Sequence, residues 1–190
     1  LIILSVSGSE LTVTPTGALA FISAPDYETK SSYSALVTAS DRVRTATQNI
    51  VITISDVDDT APVFTSNSSF SAAENQAAIG TVTATDVDTD NGLITFEVSG
   101  SELLITSGGV LTFASAPDYE TKSSYSATVT STDGTNSTTQ NITVNVTDID
   151  DVAPVFISNS SFSAAENQTA IGPVTATDVD TDNGLITFEV

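Results

Sequence analysis

The sequence predicts an all-β chain built of tandem seven-stranded Greek-key β-sandwiches. Three observations carry this. A unit of 92 residues recurs along the 190-residue chain. Within the unit, apolar and polar residues alternate with period two in short runs rich in β-branched side chains. Clusters of Gly, Asn and Asp punctuate those runs, as turns require.

The repeat is read directly. Asp56-Val57-Asp58-Asp59-Thr60-Ala61-Pro62-Val63-Phe64 returns as Asp148-Ile149-Asp150-Asp151-Val152-Ala153-Pro154-Val155-Phe156. The same offset links Pro25-Asp26-Tyr27-Glu28 to Pro117-Asp118-Tyr119-Glu120, and Asp86-Val87-Asp88 to Asp178-Val179-Asp180. Residues 61–98 and 153–190 differ at 3 of 38 positions, and residues 1–60 share 35 of 60 with residues 93–152. The expected domains are therefore 1–60, the back two thirds of a repeat; 61–152, a complete repeat; and 153–190, the front third of the next. Such a chain reads as a window on a longer array. The two partial pieces together make 98 residues, which leaves open that one chain's tail completes the next chain's head.

Taken in order through the complete unit, Val63-Phe64 and then Phe70 open the first strand, and residues 79–84 form the next. Residues 93–98, 103–106 and 110–113 follow, separated by Asp90-Asn91-Gly92 and Ser107-Gly108-Gly109. Tyr125, Ala127 and Val129 alternate with Ser and Thr, as do Ile142, Val144 and Val146 with Thr and Asn. No segment has a helical period. About seven strands in one unit indicate a sandwich, and a unit of this size buries only a modest core.

Composition narrows the function. The chain carries 24 acidic and 4 basic residues and no His, for a formal charge of −20; it has no Cys, Met or Trp. Such a surface repels phosphate backbones, which excludes nucleic acid. Zinc sites of Cys or His, and thiol or imidazole catalysis, are impossible. No apolar run approaches the ~20 residues of a membrane span, and no signal peptide is visible in the window. Without disulfides, a metal is the natural staple for small domains.

The acids are placed, not scattered. Twenty of the 24 sit in recurring short motifs at strand ends and in loops; only Glu10, Glu97, Glu102 and Glu189 lie outside them. Carboxylates crowded without bases raise one another's pKa or push apart. Calcium resolves this, because it takes 6–8 oxygen ligands at ~2.3–2.6 Å; magnesium, with its octahedral demand, fits less well.

These residues resemble cadherin repeats, in the bacterial cadherin-like form, over the whole chain. The motifs that carry the resemblance are Ala73-Glu74-Asn75, Asp86-x-Asp88, Pro117-Asp118-Tyr119-Glu120, Thr132-Asp133-Gly134 and Asp148-x-Asp150-Asp151-x-Ala153-Pro154-x-Phe156. The resemblance implies an immunoglobulin-like sandwich with up to three calcium ions at each seam between repeats, and a long extracellular rod that calcium stiffens. Carried onto this sequence, the first seam takes Asp26, Glu28, Asp56, Asp58 and Asp59, with Asp86, Asp88 and Asp133 from the complete unit. The second takes Glu74, Asp118, Glu120, Asp148, Asp150 and Asp151, with Asp178 and Asp180 from the third. In the linker, Asp58 and Asp150 replace one Asn of the family pattern, and Thr60 and Val152 another. The Asp-x-Asp loop continues more tightly than the family's, with Asp90 as a substitute ligand.

An EF-hand reading of Asp86-x-Asp88-x-Asp90 with Glu97 twelfth fails, because Asn91 stands where Gly is needed and no helices flank it. Tyr27, Tyr33, Tyr119 and Tyr125 are expected in the core or under the acidic loops. The leading functional expectation is a calcium-rigidified spacer in a surface or secreted bacterial adhesin, with neighbouring repeats as its partners. The alternatives are direct adhesion to an identical chain or a glycan, and a self-assembling filament of complementary split repeats. Nothing in the pattern points to an enzyme.

Overall fold

The computed structural model describes residues 2–89, 91–180 and 183–189. It divides into two compact units, residues 1–61 with 86–93, and residues 62–85 with 94–190. The described part is strand and loop, with two single 3-10 turns at Asn91–Leu93 and Asn183–Leu185.

Unit 1 holds β1 (Ile3–Val6), β2 (Leu11–Val13), β3 (Leu19–Phe21), β4 (Ser32–Ser40) and β5 (Thr45–Thr53). β4 pairs antiparallel with β1 on one side and β5 on the other, and β2 pairs with β3. The β4–β5 hairpin turns at Arg42, which is left-handed (φ 79°). There Asp41 Oδ1 accepts the N–H groups of Val43 and Arg44, at 2.9 and 2.7 Å. Its buried hydrophobic residues are Leu11 and Ala35 alone among those described.

Unit 2 holds β6 (Val63–Phe64), β7 (Ser69–Ala73), β8 (Ala78–Thr81), β9 (Ala84–Thr85), β10 (Thr95–Val98), β11 (Leu103–Ile105), β12 (Val110–Phe113), β13 (Ser124–Thr132) and β14 (Ser137–Thr147). β15 (Val155–Phe156) and β16 (Ala176–Thr177) follow. One sheet runs β10-β13-β14-β7 and the other β11-β12-β8, with short ladders β6–β9 and β15–β16. β7 lies parallel to β14, so the start of the sandwich pairs with its end; the crossovers give the expected Greek key. Inward side chains of both sheets form one core, which includes Val82, Phe96, Leu103, Leu111, Val129, Ile142 and Val144. Each such side chain contributes about 1.5–3 kcal/mol by leaving water. The alternation Ile142, Val144, Val146 is buried throughout, while the intervening Thr143, Asn145 and Thr147 face solvent.

Two expected strands are interrupted. The run 79–84 is divided into β8 and β9 around buried Val82, whose N–H still bonds the Gly109 carbonyl at 2.8 Å in the β8–β12 register. The run 93–98 begins only at Thr95, because Asn91–Leu93 is a 3-10 turn with Leu93 exposed. Ser131 occupies an inward position of β13 with its hydroxyl buried and unpartnered, where unit 1 has Ala39.

A staple recurs in both units and fixes the Pro-Asp-Tyr-Glu turn. Lys122 Nζ lies 2.5 Å from Glu102 and 4.4 Å from the Tyr125 ring centre, and Tyr125 meets Phe113 edge-on at 5.0 Å. Lys30, Glu10, Tyr33 and Phe21 repeat it at 2.6, 4.3 and 4.9 Å. Tyr119 also packs against the core, whereas Tyr27 stays exposed.

Gly109 gives a direct test of the packing. Its φ is 87°, and a Cβ there would stand 2.2 Å from the Val82 carbonyl oxygen; Gly100 shares the left-handed conformation (φ 84°) with open space around it. Gly100→Ala should lower the unfolding free energy by about 1–2 kcal/mol, and Gly109→Ala by at least about twice that, since the β8 and β12 backbones must also part. Denaturant unfolding measures both; equal losses would contradict the close approach.

Candidate metal centres

In unit 1 the acids converge where three loops meet. These are the Pro-Asp-Tyr-Glu turn after β3, the segment after β5, and residues 86–93. Asp88 Oδ2 accepts the N–H groups of Asp59 (3.1 Å) and Thr60 (2.7 Å). Asp86 Oδ1 accepts those of Asp88 (2.8 Å) and Thr89 (3.0 Å), and Asn91 Oδ1 accepts the Asp86 N–H at 2.9 Å. Thr89 Oγ1 donates to Asp58 at 3.3 Å. These bonds use one oxygen of each loop aspartate. The other two, Asp86 Oδ2 and Asp88 Oδ1, are buried and have no hydrogen-bond partner. Glu28, Asp59 and Asp88 each place a carboxylate oxygen within 4.8 Å of the others.

Unit 2 carries the fuller arrangement. Glu74 ends at the tip of β7 and is buried; its Oε2 accepts the Tyr119 N–H at 2.8 Å and its Oε1 the Ile149 N–H at 2.7 Å. Asn75 adopts the left-handed conformation that Asn tolerates (φ 62°). That turns its N–H to the Pro117 carbonyl at 3.0 Å and its side-chain amide to the Asp151 carboxylate. Asp180 Oδ2 accepts the N–H groups of Asp151 (2.8 Å) and Val152 (2.6 Å), and Asp178 Oδ1 accepts that of Asp180 at 3.0 Å. Asp180 Oδ1 is left buried without a partner.

Three carboxylate triples result: Glu74, Asp118 and Glu120; Glu120, Asp148 and Asp180; and Asp180, Asp178 and Asp150. Within each, one oxygen per residue lies within 4.8 Å of the others. Glu120 and Asp180 are shared, so the triples form a continuous row. Lys30 and Lys122 pair with Glu10 and Glu102, which belong to none of these triples.

The charge crowding shows in the ionisation. Glu120 is pushed up to about 7 by desolvation first, against the pull of its own amide, and then by the charges of Glu74, Asp180 and Asp148. Glu28 is also pushed up to about 7; its own amide pulls it down, but desolvation and the charges of Asp88 and Asp56 outweigh that. Asp148 is raised by desolvation, then by Asp180 and Glu74. Asp118 and Asp26 go the other way, held low by the hydroxyl and amide of Thr121 and Thr29. Asp88 is held low by its bonds from Thr60.

The structure thus brings Glu28, Asp59 and Asp88 together in unit 1, with Asp56 acting on Glu28 through its charge and Asp58 bonded to Thr89. Asp26 is in the same turn but in none of the triples. Asp133 sits in the β13–β14 turn of unit 2, where its Oδ1 accepts the Thr135 and Asn136 N–H groups at 2.6 Å each. Its Oδ2 is buried and unpartnered, and it joins no triple among the described residues. Asp90, expected as a substitute ligand, lies outside the described residues. Sequence reasoning missed the anchoring parts: Asn75, Thr29 and Thr121, and the linker amides. The one signal for Asn75 was an Asn directly after a strand-end Glu, where a left-handed residue reverses the chain.

The raised carboxyls set a sign for stability in the metal-free chain. Glu28 and Glu120 are protonated in the folded state and ionised in the unfolded state between their ordinary value of 4.5 and about 7. Folding therefore takes up protons, and stability falls as pH rises through that window. The lowered aspartates, with an ordinary value of 3.8, contribute a constant amount there. Calcium-stripped protein should show a denaturant midpoint that declines from pH 5 to pH 7 and then levels; a midpoint that climbs would contradict the crowding.

No protein-family model matches the chain. Among curated proteins, it is 34% identical over 192 aligned residues to cadherin EGF LAG seven-pass G-type receptor 2 of Mus musculus, covering 91% of this chain and 6% of that protein. It is 36% identical over 184 residues to protocadherin-15 of Homo sapiens, covering 87% and 9%. With cadherin-23 of Homo sapiens it is 30% identical over 200 residues, covering 94% and 6%. The chain therefore spans less than a tenth of the length of these relatives. Among solved structures, the protocadherin gammaB7 EC3-6 cis-dimer superposes with a TM-score of 0.77 at 25% identity, covering 95% of this chain and 51% of that one. Mouse cadherin-23 EC22-24 gives 0.72 at 25% identity, covering 96% and 66%. The chain is built of cadherin repeats, homologous to the extracellular repeats of the animal cadherins and protocadherins.

Proposed function

We propose that this chain is a stretch of spacer repeats from a long extracellular adhesin, with repeat limits at 1–60, 61–152 and 153–190, and that calcium at the seams holds successive repeats stiff. The observation that carries this is the row of three overlapping carboxylate triples ending on a buried, unpartnered Asp180 oxygen. An aspartate buried that way without a counter-charge is costly. Calcium is the cation that suits it, since it accepts 6–8 oxygens and tolerates irregular geometry. Bound, it would neutralise the acids and supply the missing partner to the orphaned oxygen.

In the second seam the ligands would be Glu74, Asp118, Glu120, Asp148, Asp150, Asp178 and Asp180, with Asp151 beside them on Asn75. In the first they would be Glu28, Asp59, Asp86 and Asp88, joined by Asp26, Asp56 and Asp58; Asp133 is a further donor by resemblance alone. A cation that binds the native seam and not the unfolded chain stabilises it by mass action, roughly 2.7 kcal/mol at a hundredfold excess over Kd. The partners are the neighbouring repeats of the array, with identical chains or a surface glycan as further candidates; the protocadherin gammaB7 structure is itself described as a cis-dimer. The bacterial form rests on the motif resemblance alone. The near-identity of neighbouring units, 35 of 38 positions between 61–98 and 153–190, suits a length-setting element. The named relatives are cadherins and protocadherins, and no residue constellation supports an enzyme.

Calorimetric titration tests the site. Calcium should bind more than one ion per chain with Kd of ~10⁻³ M or tighter, and magnesium should bind more weakly. Asp180→Asn, which alters two of the three triples, should weaken binding roughly tenfold or more. Absence of binding heat and of a calcium-dependent signal would refute the site. Small-angle scattering tests the spacer role: the calcium-loaded chain should show a narrower spread of dimensions than the stripped one. Equal spread in both states would leave calcium without a stiffening role.

A further inference from the structure

Ten asparagines occur in the chain, and two of them, Asn91 and Asn183, are followed by glycine. The pairing matters chemically. A backbone nitrogen can attack the side-chain amide carbon of the asparagine before it. A following residue without a Cβ leaves that nitrogen uncrowded and its backbone angles unrestricted. The other eight asparagines precede Ser, Gln, Ile or Val, all of which carry a Cβ. Asn141 and Asn145 are the least favourable, since they lie within β14 and precede β-branched Ile142 and Val146. The Val146 nitrogen is also committed, donating to the Ser123 carbonyl at 2.9 Å.

The fold places Asn91 in the exposed 3-10 turn Asn91–Leu93 that follows the Asp86-x-Asp88 loop. Its side-chain carbonyl is held in place, because Oδ1 accepts the Asp86 N–H at 2.9 Å. The donor is itself anchored: Asp86 Oδ1 accepts the N–H groups of Asp88 and Thr89. Attack at Asn91 Cγ would turn the carbonyl oxygen into an oxyanion. A fixed N–H aimed where such charge develops stabilises it. Asn91 thus has a nucleophile next to it in the chain, a donor on its oxygen, and solvent to receive the leaving group.

We propose that Asn91 is a self-modification site, where the Gly92 nitrogen displaces the side-chain amide and leaves a carboxylate in the acidic loop. The Gly92 nitrogen gives up its proton and bonds to Asn91 Cγ. The Cγ–Nδ2 bond breaks, and Nδ2 departs with that proton as ammonia. A cyclic imide remains, and water opens it at either carbonyl. Opening at Cγ gives an ordinary aspartate. Opening at the main-chain carbonyl routes the chain through Cγ and gives isoaspartate. Water is the only co-reactant, and nothing is oxidised or reduced. Either product carries a negative charge that the amide lacked, beside an aspartate loop in which Asp86 Oδ2 and Asp88 Oδ1 are already buried without partners. The isoaspartate also adds a main-chain atom to the turn, which displaces the acceptor from the Asp86 N–H. The loop therefore gains charge with age, and does so without an enzyme.

Peptide mapping of the whole folded chain, held in mildly alkaline buffer, tests this by mass spectrometry and an isoaspartate-specific methyltransferase assay. The peptide containing Asn91 should gain the mass difference between an amide and an acid and should score for isoaspartate. Peptides holding Asn141 and Asn145 should stay unchanged. Because the Asp86 N–H assists, conversion at Asn91 should be no slower in the folded chain than in urea. Gly92→Ala should slow it roughly tenfold or more, through the added Cβ. Asn91→Gln keeps an amide but needs a larger ring, and should show no conversion. The readout is covalent, so it is independent of calcium binding and of the spacer reading. An Asn91 that converts only in urea overturns the proposal. So does a Gly92→Ala or Asn91→Gln chain that converts at the original rate.

Discussion

Carboxylates in this molecule are gathered by backbone amides, and that gathering sets a charge problem the protein alone does not solve. Glu74 is held by the N–H groups of Tyr119 and Ile149, and Asp180 by those of Asp151 and Val152. An amide stabilises the ionised carboxylate it bonds and fixes its direction. The acids are thereby held close and fixed in direction, and the crowding appears in the neighbouring glutamates. Glu120, shared between two triples, is pushed up to about 7, as is Glu28 in unit 1. The β-sandwich enters as the frame: β7 parallel to β14 puts Glu74 beside the chain leaving β14 toward Asp148.

The arrangement is local enough to recur in unit 1. In unit 1, Asp88 accepts the amides of Asp59 and Thr60 as Asp180 accepts those of Asp151 and Val152. Both loops leave a buried aspartate oxygen unpartnered, on Asp88 and on Asp180. The hydrophobic packing behaves differently. Leu111 is fully buried because β8, distant in sequence, runs beside β12. Charge placement depends on short loops, and core formation on strands brought together from across the unit.

That division also explains what the sequence disclosed. Period-two alternation located β13 and β14 well, because long paired strands keep one face inward. It did not show the division of 79–84 into β8 and β9, since Val82 between them is as apolar and as buried as a strand residue. Spacing of the acids indicated which loops bring carboxylates together, and ten of them meet in the four triples. It did not reveal that Asp133 and Asp41 cap hairpin turns with one oxygen, because a turn cap and a metal ligand use the same residue type. Nor did it reveal Asn75 as the link to Asp151, a contact that exists only once β7 and the segment after β14 are side by side.

The crowded oxygens lie within 4.8 Å of one another, well inside the ~8–10 Å reach of salt screening at ordinary ionic strength, so a bound cation would relieve them where general screening would not. The most direct measurement is denaturant unfolding of the whole chain in millimolar calcium against sodium chloride of matched ionic strength. Calcium should raise the midpoint with the saturating concentration dependence of a binding site, and sodium should have little effect. Equal stabilisation by both salts would contradict the account.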